Sequence, residues 1–171
     1  VYTKIKKEDI SLLNNRFNIE KILSFQGIKK GIENTNYLLK SKNKKFILTI
    51  FEKRVSKKEI PFFMKLMEIL NNSKISCPKP LKNKDGNHLI KLKNKTACIV
   101  SFLEGRDKNL LNSKNCFEVG KIIAHMHNVT KNIKLSRKNS MGIKNLNPLL
   151  KSIKLKSKKF SNLEKFLTIN L

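Results

Sequence analysis

Tryptophan is missing from this chain, and cysteine is scarce. The 171 residues include only three cysteines, Cys77, Cys98 and Cys116. They are far apart and odd in number, and no pair has the spacing of metal ligands, which argues against a disulfide framework or a zinc site. The pattern favours a reducing, cytoplasmic setting in which these cysteines act as small apolar residues.

Long apolar runs are also absent. No stretch approaches the roughly 18 apolar residues that a membrane-spanning helix requires. The first residues, Val1 to Lys4, lead directly into charged positions. We therefore predict neither a membrane span nor a secretory signal. The apolar fraction of 39% is that of a globular protein able to bury a core.

Acidic residues are few, and the charge balance is strongly basic. Lys and Arg number 38 against 12 Asp and Glu, which gives a formal net charge of +26. Such a surplus is typical of proteins that bind polyanions. Here the basic residues are spread over every predicted loop and helix surface, which favours a solvated basic surface over a specific nucleic-acid site. A basic nucleic-acid-binding module is the alternative from another class, and it would need clustered charge with exposed aromatic rings.

Strand-like runs dominate the first part of the chain, and one long helical pattern interrupts them. Residues 45–51 form the clearest strand, because they are rich in β-branched and aromatic side chains and lie between polar turns. Residues 19–25 and 36–39 predict two earlier strands, joined through a turn at 27–31. Over residues 57–72, apolar side chains recur with the spacing of one helical face. These are Ile60, Phe63, Met64, Met67 and Leu70.

After this helix the pattern returns to strands and then becomes helical. Residues 88–92 and 96–102 predict two more strands, and the second is apolar enough for the interior of a sheet. A helix capped by Asn112 or Ser113 should then bury one apolar face, with Gly120 permitting close packing. The order predicts an α+β fold with a mainly antiparallel five-stranded sheet, one helix beside it and a helical segment after it.

A segment with two glycines joins the first two predicted strands. It reads Gly27-x-x-x-Gly31-x-x-Asn34-x-Asn36. Glycines let backbone amides approach phosphate oxygens closely, so this segment is a candidate phosphate-covering loop. It is not a Walker A loop, because Gly-Lys-Ser/Thr is absent and no helix follows directly. The spacing alone is a weak signal, since any hairpin can contain two glycines.

Several short motifs follow one another in a fixed order. They are GIENTNY at 31–37, FILTIFEKR at 46–54, IPFF at 60–63, LME at 66–68, ISCPKP at 75–80, DG at 85–86, IVSFLEG at 99–105, Gly120 with AHMH at 124–127, and Asn139 with Gly142. As an ordered set they resemble the homoserine kinase branch of the aminoglycoside phosphotransferase and choline kinase superfamily. The resemblance covers about residues 1–150.

The resemblance implies a protein-kinase-like bilobal fold and ATP-dependent phosphorylation of the hydroxyl of L-homoserine in threonine biosynthesis, with Mg²⁺ as cofactor. Residues 1–103 would form the ATP-binding lobe. Residues 104–171 would form the hinge and the start of an incomplete helical lobe. The implied nucleotide-binding residues are the loop residues Gly27, Gly31, Asn34 and Asn36, then Lys53, and finally Ser101, Phe102 and Leu103 at the hinge.

The chain departs from the wider superfamily in two respects. The third strand of the superfamily usually carries a cation aimed at the phosphates, but Thr49 stands at the matching position, so Lys53 or Arg54 is the candidate for that charge. No His-x-Asp…Asn catalytic loop occurs either. The resemblance places that loop beyond Leu171, so we name no catalytic or metal-binding residue and expect no turnover from this chain alone. Choline, an aminoglycoside or another small alcohol is the alternative acceptor, and the sequence does not predict an oligomeric state.

Overall fold

The computed structural model describes residues 2–29, 31, 33–52, 56–139, 142 and 144–145. Two compact units divide the chain, Val1–Leu135 and Ser136–Leu171. In the second unit the described residues form a turn, in which the Gly142 amide donates to the Asn139 carbonyl at 3.2 Å and the Asn145 amide donates to the Gly142 carbonyl at 2.8 Å. All helices and strands named below belong to the first unit.

The first unit is a five-stranded antiparallel sheet with helices, as the sequence predicts. The helices are α1 (Lys7–Arg16), α2 (Ile60–Asn72) and α3 (Ser113–Thr130), and the strands are β1 (Ser24–Ile28), β2 (Thr35–Lys40), β3 (Lys45–Ile50), β4 (Leu89–Leu92) and β5 (Lys95–Ser101). The strand order is β1-β2-β3-β5-β4, so β5 is an interior strand.

A tight turn sets the register between β2 and β3. The Ser41 amide donates to the Lys44 carbonyl at 2.9 Å, and Lys40 pairs with Lys45. Because side chains alternate across a strand, this register places Asn36 directly beside Thr49 on one face. The neighbouring pair, Tyr37 and Leu48, lies on the opposite face.

One face of the sheet, here called the α1 face, carries the larger apolar core. Leu13 lies within α1 and Phe17 directly follows its last residue, and both side chains are at most 1% exposed. They belong to the same cluster as buried side chains from four strands. These strand residues are Tyr37, Leu39, Phe46, Leu48, Ile50, Ile90, Leu92, Ala97 and Ile99.

The opposite face, here called the α2 face, is covered less completely. Ile60 and Met64 of α2 are buried against Cys98 and Val100 of β5. Towards β1 and β2, the side chains on this face are half-buried, in contrast to their neighbours on the α1 face. These half-buried residues are Ile28, Asn36, Leu38, Ile47 and Thr49.

Several local expectations are wrong. The strand predicted at 19–25 lies later in the chain, since β1 begins at Ser24 and ends at Ile28. The predicted turn at 27–31 begins later, because Gly27 lies inside β1 and pairs with Tyr37. The predicted burial of α3 is also absent, since none of its residues is buried and Phe117 and Ile122 are 69% and 56% exposed. No described atom lies within 4 Å of a Cβ placed on Gly120, so that glycine permits no close packing here.

None of the described helices has the length and apolar composition needed to cross a bilayer.

Candidate functional site

The loop between β1 and β2 contains one backbone position that requires glycine. Gly31 has a φ of +106°, a conformation that L side chains rarely adopt. The carboxamide of Asn36 lies beside this position, with Nδ2 4.0 Å from the place where a Cβ on Gly31 would stand. The predicted loop residues Gly31 and Asn36 are therefore brought together.

A second strand fixes the orientation of the Asn36 carboxamide. The Thr49 hydroxyl of β3 donates to Asn36 Oδ1 at 2.9 Å. The carboxamide oxygen is thus engaged by β3, and the nitrogen is the atom that lies towards Gly31. Asn36 is half-buried, and no described residue accepts a hydrogen bond from its Nδ2. This nitrogen can therefore donate to a ligand.

Asn34 closes the same loop against the end of β3. Its Oδ1 accepts a hydrogen bond of 3.4 Å from the amide of Glu52. Lys53, which the sequence offers as the phosphate-gripping cation, lies outside the described residues. Its place in the site stays a prediction.

Glu52 anchors the base of the loop. Its carboxylate accepts hydrogen bonds from Thr3 at 2.6 Å and from Thr35 at 2.7 Å, and it forms an ion pair with Lys95. Burial alone would raise the pKa of Glu52, but hydrogen bonds from Lys95, Thr3 and Thr35 outweigh it and lower the pKa to about 2. Glu52 is consequently ionised at neutral pH and ties the N-terminal segment to the start of β2.

The predicted hinge residues follow directly from the end of β5. The Ser101 amide donates to the Lys79 carbonyl at 2.9 Å, and the Phe102 amide donates to the Lys45 carbonyl at 3.3 Å. Both N–H groups are therefore used by the fold. The Leu103 amide donates to no described residue, and its side chain is 43% exposed. Among the three amides, that of Leu103 is the one available to a ligand.

Lys45 holds the hinge against the beginning of β3, a role that the sequence pattern did not reveal. Its Nζ forms an ion pair with Glu104 at 2.8 Å and lies 5.2 Å from the centre of the Phe102 ring. Its carbonyl accepts from Phe102, as described above. Because Lys45 and Glu104 are 59 residues apart, no local motif could have indicated the pair.

The loop and the hinge are connected through β3 and β5. Thr49 pairs with Cys98, and Phe46 pairs with Ser101. Along β3 these two positions are separated by about 10 Å, given the rise of an extended strand. An elongated ligand along β3 could therefore contact the loop with one end and the hinge with the other.

Glu68 of α2 has partners outside this region. It pairs with His88 Nε2 at 3.0 Å and with Lys82 at 3.6 Å. Burial opposes ionisation of this carboxyl, but the charge and hydrogen bond of His88 and the charge of Lys82 lower its pKa. Within the part of the chain that the structure describes, no cluster of three or more His, Cys, Asp or Glu side chains could hold a metal ion.

Comparison with known proteins identifies the relatives of this chain. The profile of the "Phosphotransferase enzyme family" matches residues 24–154. A homoserine kinase of Parvibaculum lavamentivorans is 37% identical over 152 residues, which are 89% of this chain and 47% of that protein. A homoserine kinase of Bartonella tribocorum is 41% identical over 143 residues, 84% of this chain and 45% of that protein. The chain thus spans about half the length of these curated relatives.

Solved structures agree with this assignment at the level of the fold. A spectinomycin phosphotransferase, solved in complex with ADP and spectinomycin, superposes with a TM-score of 0.61 at 15% identity, over 98% of this chain and 54% of its own. A microcompartment-associated aminopropanol kinase superposes with a TM-score of 0.63 at 14% identity, over 84% of this chain and 48% of its own. With the family profile covering most of the chain, this protein belongs to the phosphotransferase enzyme family.

Proposed function

We propose that this chain is the nucleotide-binding part of an ATP-dependent homoserine kinase. The observation that carries the proposal is a pair of donors at the two ends of the β3–β5 region, Asn36 Nδ2 and the Leu103 amide, from which no described residue accepts a hydrogen bond. Two curated relatives bearing the name homoserine kinase support the choice of acceptor. The reaction would transfer the γ-phosphoryl group of ATP to the hydroxyl of L-homoserine, as a step of threonine biosynthesis in the cytoplasm.

The described residues are suited to binding and orienting the nucleotide. The Leu103 amide would donate to a ring nitrogen of adenine, while the half-buried side chains of Leu38 and Ile47 would contact the apolar ring. The loop between β1 and β2, which includes Gly31, would cover the phosphates with its amides, and Lys53 would add positive charge. Gly27 lies inside β1 and would support this loop rather than contact the phosphates. Ser101 and Phe102 would then position Leu103 rather than bind the ligand through their own amides.

We assign neither proton abstraction nor metal binding to Asp9 or Asp85. Asp9 is an N-terminal residue of α1 whose carboxylate accepts from the Lys6 amide at 2.8 Å, and Asp85 lies in the turn organised by Asn83. A hydroxyl acceptor needs a nearby carboxylate base, and ATP needs Mg²⁺ held by acidic or amide groups. Because the chain spans about half the length of the homoserine kinases it resembles, we assign both tasks to the remainder of the intact protein and expect no turnover from this chain by itself.

The test is ADP release by the intact protein that carries this chain, with ATP and Mg²⁺ and one acceptor at a time. Stimulation by L-homoserine, but not by choline, an aminoglycoside or L-serine, is the expected result. If one of the other alcohols stimulates ADP release instead, the proposed acceptor is wrong and the proposed kinase activity stands. If no acceptor stimulates ADP release and the protein does not bind ATP, both the proposed kinase activity and the proposed acceptor are refuted.

A further inference from the structure

A polar pair lies on β2 and β3, beside the loop that joins β1 and β2. Asn36 and Thr49 face each other across β2 and β3, and the Thr49 hydroxyl donates to Asn36 Oδ1 at 2.9 Å. The same carboxamide has its Nδ2 beside Gly31, whose φ of +106° places the loop backbone in a conformation reserved for glycine. Three elements thus meet at one carboxamide.

A carboxamide can face a ligand with its oxygen or with its nitrogen, and the two choices have opposite chemistry. An oxygen facing the loop would repel phosphate, whereas the nitrogen would donate to it. In the structure the Thr49 hydroxyl donates to the oxygen, and the nitrogen lies towards Gly31. Asn36 is half-buried, and none of the described residues accepts a hydrogen bond from Nδ2.

We infer that Thr49 is a positioning residue for phosphate recognition: its hydroxyl holds the Asn36 carboxamide so that Nδ2 donates to a phosphate oxygen of the bound nucleoside triphosphate. Thr49 itself contacts no phosphate. This inference rests on the proposed binding of ATP at this loop, and it is independent of the acceptor. Asn36 and Thr49 should therefore contribute to the affinity for the phosphates of ATP and not to the affinity for adenosine.

The experiment compares ATP and adenosine binding to the intact protein by calorimetry. Thr49→Val removes the hydroxyl and keeps the shape of the side chain, while Thr49→Ser keeps the hydroxyl. Thr96→Val on β5 is the matched control, because the Thr96 hydroxyl makes no hydrogen bond to any described residue. Asn36→Ala removes the proposed donor directly, and the double variant Thr49→Val/Asn36→Ala tests whether both act through one contact.

We expect Thr49→Val to weaken ATP binding about tenfold, the effect of one lost hydrogen bond to a charged group. Adenosine affinity should change less than about twofold, and Thr49→Ser should restore most of the ATP affinity. Asn36→Ala should show the same loss, and the double variant no further loss, because the two residues act as a unit.

Three results would overturn the inference. The first is an unchanged ATP affinity in Thr49→Val. The second is an equal loss of ATP and adenosine affinity in that variant, which would indicate a structural role alone. The third is a double variant whose loss of ATP affinity equals the sum of the two single losses. A wild-type protein that binds neither ATP nor adenosine would instead refute the proposed nucleotide site, and the inference with it. If the Thr49 and Asn36 variants lose ATP affinity but not adenosine affinity, and the intact protein does not phosphorylate homoserine, the proposed acceptor is refuted and the inference stands.

Discussion

The two faces of the sheet differ in what their side chains do. On the α1 face, Leu39 and Leu48 of the central strands are fully buried, and Tyr37 uses its hydroxyl to donate to the Thr3 carbonyl at 2.9 Å. On the α2 face, Leu38 and Thr49 of the same strands are half-buried. A strand that supplies both faces therefore places residues that stabilise the fold next to residues available for ligand binding.

This alternation explains why neighbouring positions should respond differently to mutation. Removing a fully buried side chain leaves a cavity, while a half-buried one loses only part of its contact with the protein. The α1 face should govern the free energy of unfolding, and the α2 face should govern affinity for the nucleotide.

The largest contrast is expected between two adjacent leucines of β2. Leu39 is 0% exposed, so Leu39→Ala should lower the free energy of unfolding by about 3 kcal/mol. Leu38→Ala should cost about 1 kcal/mol, because the side chain is only half-buried. It should however weaken adenosine binding several-fold, whereas folded Leu39→Ala should bind adenosine normally. Urea unfolding and calorimetry of the intact protein measure the two effects, and equal losses of stability at both positions would contradict the comparison.

A smaller effect is expected from the carboxylate at the base of the loop. Glu52→Gln should destabilise the protein by about 2 kcal/mol at neutral pH, because it removes the charge that Lys95 and two threonines bind. Since folding lowers the pKa of Glu52 from 4.5 to about 2, its contribution is present above pH 4.5 and is lost as the pH falls towards 2.

The pH dependence distinguishes this role from a general packing effect. The variant should lose less stability than the wild type between pH 5 and about pH 2, the window set by the two pKa values. Glu118→Gln on the exposed surface of α3 is the control and should leave the stability curve unchanged. Parallel curves for wild type and Glu52→Gln would refute the assigned ionisation.

The smallest effect is expected at the hinge. Lys45→Met keeps the long apolar part of the side chain and removes the ion pair with Glu104, which is worth at most about 1 kcal/mol because both groups are exposed. We expect about a threefold loss of adenosine affinity, since a modest shift of Phe102 displaces the Leu103 amide. Lys44→Met, in the preceding turn, is the control. Unchanged adenosine affinity in Lys45→Met, or the same loss in Lys44→Met, would contradict the role of Lys45 at the hinge.

Much of the sheet could be predicted from local chemistry. The run at 45–51 and the helical stripe from Ile60 to Leu70 both correspond to observed elements, and Asn112 caps α3 by accepting from the Asn115 amide at 2.9 Å. The helix begins at Ile60 rather than Lys57 because residues 57–59 form a turn. Gly27 was misplaced because pairing with Tyr37 keeps it within β1.

The candidate site was less accessible to sequence reasoning. The Asn36–Thr49 pair could have been found from the turn at 41–44, since the register fixes which residues lie opposite each other. The pairing of Lys45 with Glu104 depends on how distant segments meet, and no spacing encodes it. The apolar periodicity of α3 likewise indicates which side chains share a face and gives no information about what covers that face.

The most direct test of the central claim is amide hydrogen exchange of the intact protein with and without ADP. We predict that ADP slows exchange at Leu103 and in the loop from Gly31 to Asn36, and leaves the amides of α1 unchanged. Protection confined to α1, or absence of protection at both Leu103 and the loop while calorimetry shows that ADP binds, would contradict the assignment of the α2 face to nucleotide binding.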